Sequence, residues 1–315
     1  MNGFIRQIWS EGVLTKRLPP PVGLNRRAVL AALAGSAVAA ASAKGEVRAP
    51  SPPPLIAEDY ADARKTFKTR LTRLGPSPDA PEALAPPGGA ELITYASEDL
   101  KLGAWITPAV KRTQRPGLLF LHGGNVLGGG HWDLTLPYRR AGYTVMLPAL
   151  RGENGQPGAY SGFYDENSDV LAAAETLAGI PGVDRSRVFV AGHSIGGTQT
   201  LLAALSSKLF RGAAAFSGGA NAWVFFARFP EMLCFDPGDV REFEMRSAVC
   251  FAASFKCPTR IFHGTNETRL AGPSMLTAER ARGAGLNVEA TAIPGDHFSA
   301  LPEEIRRSML FFEQL

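Results

Sequence analysis

The chain has 315 residues, 45% of them apolar and 20% charged, proportions of a globular protein that exclude wholesale disorder. Its formal charge of +4 lies at the front: residues 1–43 carry Arg6, Lys16, Arg17, Arg26 and Arg27 against Glu11 alone, leaving 28 basic and 28 acidic residues in the remainder. A formally neutral body lacks the electrostatic footprint that nucleic acid requires, so no nucleic-acid partner is expected.

The first segment reads as an address. Asn25-Arg26-Arg27 opens an apolar, Ala-rich run from Ala28 to Ala41, which closes on the small-x-small sequence Ala41-Ser42-Ala43. The run is shorter than the roughly 20 residues a bilayer requires. Residues 1–43 are therefore expected to be a cleaved export signal resembling the twin-arginine type, directing a periplasmic or secreted protein whose only membrane contact is the export machinery.

Residues 44–89 are expected to be a linker. Pro50 to Pro54 should be extended and mobile. Tyr60, Phe67, Leu71 and Leu74 then recur at helical spacing and predict one amphipathic helix over about 57–74. A loop rich in Pro and Gly, Gly75 to Gly89, closes this part.

From residue 90 to 315 the pattern becomes regular. Glu91 to Ala96 and Leu102 to Thr107 predict a β-hairpin. Short apolar strands follow at Gly117 to Leu121, Tyr143 to Leu147, Arg187 to Ala191, Ala213 to Phe216, Thr259 to Phe262 and Val288 to Ile293. Helices are expected around Leu136 to Ala141, Ser168 to Ala178, Gly196 to Ser206, 273–284 and 302–314. Such alternation indicates an α/β fold: an eight-stranded, mostly parallel sheet with helices on both faces. The segment 217–256 is a candidate lid. Its aromatics, Trp223, Phe225, Phe226, Phe229 and Phe235, suit either a wall over a substrate or a cover for the sheet. Cys234, Cys250 and Cys257 cluster there too. In an oxidising compartment Cys234 and Cys250 are the preferred pair, and the alternative is three small buried hydrophobes. No spacing suits a metal site.

Gly192-His193-Ser194-Ile195-Gly196 is the central motif. A neutral serine hydroxyl is a poor nucleophile unless exposed and activated, and a sharp strand-to-helix turn exposes it. The motif follows the strand ending at Ala191 and precedes the helix through Leu205, so Ser194 is the candidate nucleophile. Among five histidines, only His297 lies late in the chain in a loop between a strand and a helix, which makes it the candidate base. His122 and His263 end strands and should brace loops, His131 opens a helix, and His193 lies inside the turn. The first carboxylate after the strand ending at Phe262 is Glu267, about 30 residues before His297, and is the candidate orienting acid. Donors for an oxyanion are expected from the N–H of Ile195 and from either Gly124 or Asn125. Gly128-Gly129-Gly130 lacks the Lys-Ser/Thr of a phosphate loop.

These residues, with Phe120-Leu121-His122-Gly123-Gly124, Pro148-Ala149-Leu150-Arg151-Gly152, His263-Gly264-Thr265 and Gly295-Asp296-His297, resemble the α/β-hydrolase superfamily. The prolyl-oligopeptidase and dienelactone-hydrolase branch is the nearest likeness. The resemblance implies a triad of Ser194, Glu267 and His297 with Gly124 and Ile195 at the oxyanion hole. Dienelactone hydrolases use cysteine where this chain has Ser194, and prolyl oligopeptidases carry a propeller for which this chain has no room. The expected function is hydrolysis of small or medium carboxylic esters, without cofactor or metal. A peptidase acting on short peptides or acyl-amino acids is the alternative, and a non-catalytic binding protein of the same fold comes third.

Overall fold

A computed structural model of the chain describes residues 50–109 and 114–315; the expected export signal, 1–43, lies outside the described residues. Eight strands form one sheet: β1 Glu91–Ser97, β2 Leu100–Ile106, β3 Arg115–Leu121, β4 Thr144–Pro148, β5 Val183–His193, β6 Gly212–Phe216, β7 Thr259–Gly264 and β8 Val288–Ile293. Their order is β1-β2-β4-β3-β5-β6-β7-β8. β1 and β2 pair as an antiparallel hairpin, β2 meets β4 antiparallel, and all remaining pairs are parallel. The eight strands expected from the sequence are thus all present.

The helices are α1 Tyr60–Thr66, α2 Gly129–Leu134, α3 Leu136–Arg140, α4 Glu166–Gly179, α5 Ile195–Ser206, α6 Ala222–Arg228, α7 Val240–Glu244, α8 Thr268–Gly283 and α9 Leu301–Glu313. Side chains of a strand alternate between faces, and β3 uses both. Leu118 and Phe120 pack with Trp132 of α2, Tyr138 of α3 and Leu301, Ile305 and Met309 of α9. Leu119 and Leu121 lie in the opposite buried cluster, which also takes in Val170 of α4, Leu201 of α5 and Ala278 of α8. Burial on both sides explains why β3 reads as an unbroken apolar run. In α9 the buried residues Leu301, Glu304, Ile305, Ser308, Met309 and Phe312 recur at steps of three and four, the stripe a surface helix turns to the core, with Phe311 buried beside it.

The leading segment departs from expectation. The helix is only α1, capped by Asp59 Oδ1 accepting from Ala61 N at 3.0 Å, and it ends at Phe67, whose backbone is extended. Leu71, expected on the helix, instead forms a bridge with Phe235. The proline-rich stretch is tied down as well. Arg280 donates to the carbonyls of Pro53 at 2.7 Å and Pro54 at 3.2 Å, and Ile56 N donates to Cys250 O at 2.8 Å. Tyr60 is fully buried and its hydroxyl donates to Met245 O at 2.7 Å. Burying such a ring contributes roughly 1.5–3 kcal/mol, which opposes release of this leading segment, a strap across the body from Pro53 to Thr72.

The aromatics of 217–256 mostly cover the core. Trp223, Phe226, Phe235 and Phe243 are buried, with Trp223 stacked on Phe243 at 5.4 Å; Phe225 and Phe229 are partly buried. Of the two readings of the cysteines, the Cys234–Cys250 bridge is not formed: all three are free and buried, as the other reading has it. The carbonyl of Cys234 is held by Thr72 N and that of Cys250 by Ile56 N, so each is fixed to a different part of the strap. Burial pushes the three thiols up to about 12, and they pack as small hydrophobes.

Candidate active site

β5 runs into α5 through a single residue. Ser194 has φ 57° and ψ −118°, outside the regions open to an ordinary L-residue, and the turn is held by Ser194 N donating to Phe216 O at 2.8 Å. Ser194 is half-buried while His193 and Ile195 on either side are buried. The turn is so sharp that its flanks admit no side chain. A β-carbon at Gly196 would overlap Leu121 O and lie 2.6 Å from His122 O, and one at Gly192 would lie 2.6 Å from the carbonyl carbon of Gly196. The motif's glycines are steric requirements of this crossing.

The loop after β3 abuts the turn, since a β-carbon at Gly123 would lie 3.5 Å from Ser194 Cβ. The sequence left two candidates for the second oxyanion donor, and the two differ here. Asn125 N donates to Asp79 Oδ2 at 2.9 Å, its Nδ2 donates to the same oxygen at 3.1 Å, and its carbonyl accepts from Ser77 Oγ at 2.9 Å. Its N–H is therefore engaged. Gly124, at φ 72°, has no such acceptor among the described residues. Ile195 is the first residue of α5, so its N–H has no intrahelical acceptor.

Glu267 follows β7 and His297 follows β8, at the same end of the sheet as Ser194. His297 Nδ1 and Glu267 Oε1 are 2.6 Å apart. The other carboxylate oxygen accepts from Ser217 Oγ at 2.5 Å and from Gly264 N at 2.6 Å. Burial opposes the charge on Glu267, but hydrogen bonds from His297, Ser217 and Gly264 outweigh it and hold the carboxyl below its usual range. Ser194 Oγ and His297 Nε2 share no hydrogen bond among the described residues; such contacts in substrate-free enzymes often close only in the complex. His193 links the two. Its ring lies 4.6 Å from that of His297, and its Nε2 is 2.8 Å from the carbonyl of His297. Burial, and next the proximity of His297, push His193 down to about 3, so it is a neutral donor through Nε2.

Of the remaining histidines, His122 and His131 brace loops, whereas the buried His263 has no hydrogen-bond partner for its Nδ1 among the described residues. His122 Nε2 lies 3.0 Å from buried Glu153 Oε2, and the His131 ring sits 5.2 Å away with Nδ1 accepting from Gly128 N at 3.0 Å. Burial pushes His131 down to about 3. Three neighbours of the site escape sequence reasoning: Asp79, which engages Asn125; Ser217, at φ 49° behind Glu267; and Phe298, 52% exposed with its ring 5.1 Å from that of His297. No sequence signal marks the first two, because each meets its partner across about 46 or 50 residues. Phe298 could have been found, as an apolar residue next to the candidate base.

Among the described residues no group of His, Cys, Asp and Glu suits a metal ion. The model of the alpha/beta hydrolase family matches residues 118–308. The chain is similar to an uncharacterised protein of Mycobacterium tuberculosis, with 30% identity over 122 residues, 39% of this chain and 42% of that protein. Among solved structures it resembles the Pyrococcus horikoshii acylaminoacyl peptidase (22% identity, 71% of this chain and 40% of that one, TM-score 0.61). A Mycobacterium tuberculosis puromycin-hydrolysing peptidase is similar at 21% identity, over 72% of this chain and 40% of that one, with TM-score 0.62. This likeness is one of fold, and the chain spans about two fifths of the length of each relative.

Proposed function

Because the chain belongs to the alpha/beta hydrolase family, we propose that it is a serine hydrolase working through an acyl-enzyme on Ser194. The observation that carries the reading is the pairing of two independent features: a serine held at positive φ on a strand-to-helix turn, and a 2.6 Å Glu267–His297 pair at the same end of the sheet. Glu267 accepts from Nδ1–H and fixes the tautomer that leaves Nε2 free to take the Ser194 proton. The hydroxyl oxygen attacks the substrate carbonyl, and the N–H groups of Ile195 and Gly124 receive the developing negative charge. His297 then gives its proton to the leaving group. A water deacylates the enzyme by the same route.

The preferred substrates are small or medium carboxylic esters. A second reading, cleavage of short peptides or acyl-amino acids, is favoured by the solved relatives described as peptidases. Fluorophosphonate labelling tests the common step: wild type should react and Ser194→Ala should not, and equal behaviour of the two removes Ser194 from the mechanism. Turnover of p-nitrophenyl esters against amino-acid anilides then separates the two readings. Export rests on Arg26-Arg27 and the apolar run after them; fractionation of cells expressing the full chain, against Arg26→Lys/Arg27→Lys, tests it.

A further inference from the structure

α9 places a carboxyl where its apolar stripe faces the core. Glu304 is fully buried, and its Oε2 has no hydrogen-bond partner among the described residues. Its Oε1 lies 3.4 Å from Ser217 Oγ, the same hydroxyl that donates to Glu267 at 2.5 Å. Ser217 is fixed there by its positive φ and by its N–H donating to Phe262 O at 2.8 Å. A serine hydroxyl has one proton to donate and two lone pairs to offer. That proton goes to the ionised, nearer Glu267. The contact with Glu304 is then attractive only if Glu304 carries a proton and donates it to Ser217.

We propose that Glu304 is a positioning residue: as a neutral carboxylic acid it completes a chain from Glu304 through Ser217 and Glu267 to His297, and so steadies the acid behind the imidazole. The proposal rests on the serine-hydrolase reading. Burial, and next the negative charge of Glu267, push Glu304 up to about 8. The other titratable groups on the elements around it are His297 in the loop after β8, His263 at the end of β7, Arg260 earlier in β7 and stacked on Phe311, and, on α3, Tyr138, bonded to Ser308, with Arg139 and Arg140 after it; α9 itself carries Glu303, paired with Arg306 and Arg307, and Glu313 at its end. Glu267 is the charged group that acts on Glu304. Ionised, Glu304 would compete for the single Ser217 proton and repel Glu267, loosening the pair that orients His297.

Two measurements on the full protein test this. Infrared titration of wild type should show a protonated-carboxyl C=O band that disappears near pH 8 and is missing in Glu304→Gln. Absence of that titrating band in wild type overturns the proposal. With a p-nitrophenyl ester, wild-type kcat should fall as the pH rises through about 8 while KM holds. Glu304→Leu should lower kcat about tenfold at neutral pH. Glu304→Gln, whose amide can still donate to Ser217, should recover most of that loss and lack the alkaline fall. Matching pH profiles for wild type and Glu304→Gln, or a change confined to KM, overturn the positioning role. If Glu304→Leu does not fold, Ser217→Ala breaks the same chain and should also cost about tenfold in kcat; an unchanged kcat overturns the proposal. The infrared band needs no turnover. A wild type that shows it but neither hydrolyses esters nor takes a fluorophosphonate overturns the serine-hydrolase reading and leaves the neutral Glu304 standing.

Discussion

Replacing Glu267 by glutamine probes the candidate site most sharply, because the structure dictates how the new amide must sit. Oε2 of Glu267 accepts from two donors, Ser217 Oγ at 2.5 Å and Gly264 N at 2.6 Å. The backbone N–H of Gly264 cannot be turned round, so the amide oxygen must take that position. The amide NH2 then faces His297 Nδ1, now 2.6 Å from a carboxylate oxygen. A donor there makes Nδ1 an acceptor and moves the ring proton to Nε2, the nitrogen that should receive the Ser194 proton. Every hydrogen bond is still satisfied, so the fold should be unperturbed while the imidazole is held in the wrong tautomer. In a comparable triad this costs about four orders of magnitude in kcat, or roughly 5.4 kcal/mol of transition-state stabilisation. The assay is kcat and KM for a p-nitrophenyl ester, with circular dichroism and thermal melting as controls. Glu267→Gln retaining more than about a tenth of wild-type kcat, against that expectation of roughly 10⁴, would refute the tautomer argument.

The other expectations concern stability. Gly196→Ala brings a methyl group against backbone atoms of Leu121 and His122 that cannot step aside, so it should destabilise by about 3 kcal/mol or more and lower activity, read by urea denaturation. Tyr60→Ala should cost about 3–5 kcal/mol by the same assay, as expected for a buried aromatic; a free linker would give a change near zero. Burial, and next the charge of Glu267, push Glu304 up to about 8 from the ordinary 4.5, so the native state keeps a proton that the unfolded chain releases between those values. Its contribution is fully present below about 4.5 and is lost as the pH rises through about 8, at up to about 1.4 kcal/mol per unit. The stability of wild type relative to Glu304→Gln should therefore decline between pH 5 and 8, as about those limits bracket the window; a constant difference would contradict it.

Local chemistry carries far in this chain. The eight strands, the main helices and the turn at Ser194 are written in short-range patterns: apolar runs as long as a strand, a stripe as in α9, and glycines where the backbone crosses itself at Gly192 and Gly196. Chain order and loop position were enough to nominate Glu267 and His297, which the structure brings to 2.6 Å. Helical spacing misled at 57–74, because Leu71 satisfies its backbone against Phe235 and Leu74 stays 78% exposed. An amphipathic period states only that apolar residues recur. It does not say what will cover them.

Where one part of the chain meets a distant part, only the tertiary structure decides. It engages the Asn125 N–H with Asp79, leaves Cys234 and Cys250 unbridged, binds the strap to the body, and sets Glu304 behind Ser217 and Glu267. A glutamate one turn into a helix reads as a solvated charge, and nothing near Glu304 in sequence contradicts that. Its environment comes from the ends of β6 and β7, 87 and 37 residues away for Ser217 and Glu267. Steric and backbone preferences act within a few residues and leave their mark on the letters. Burial, hydrogen-bond competition and protonation depend on partners that only folding supplies.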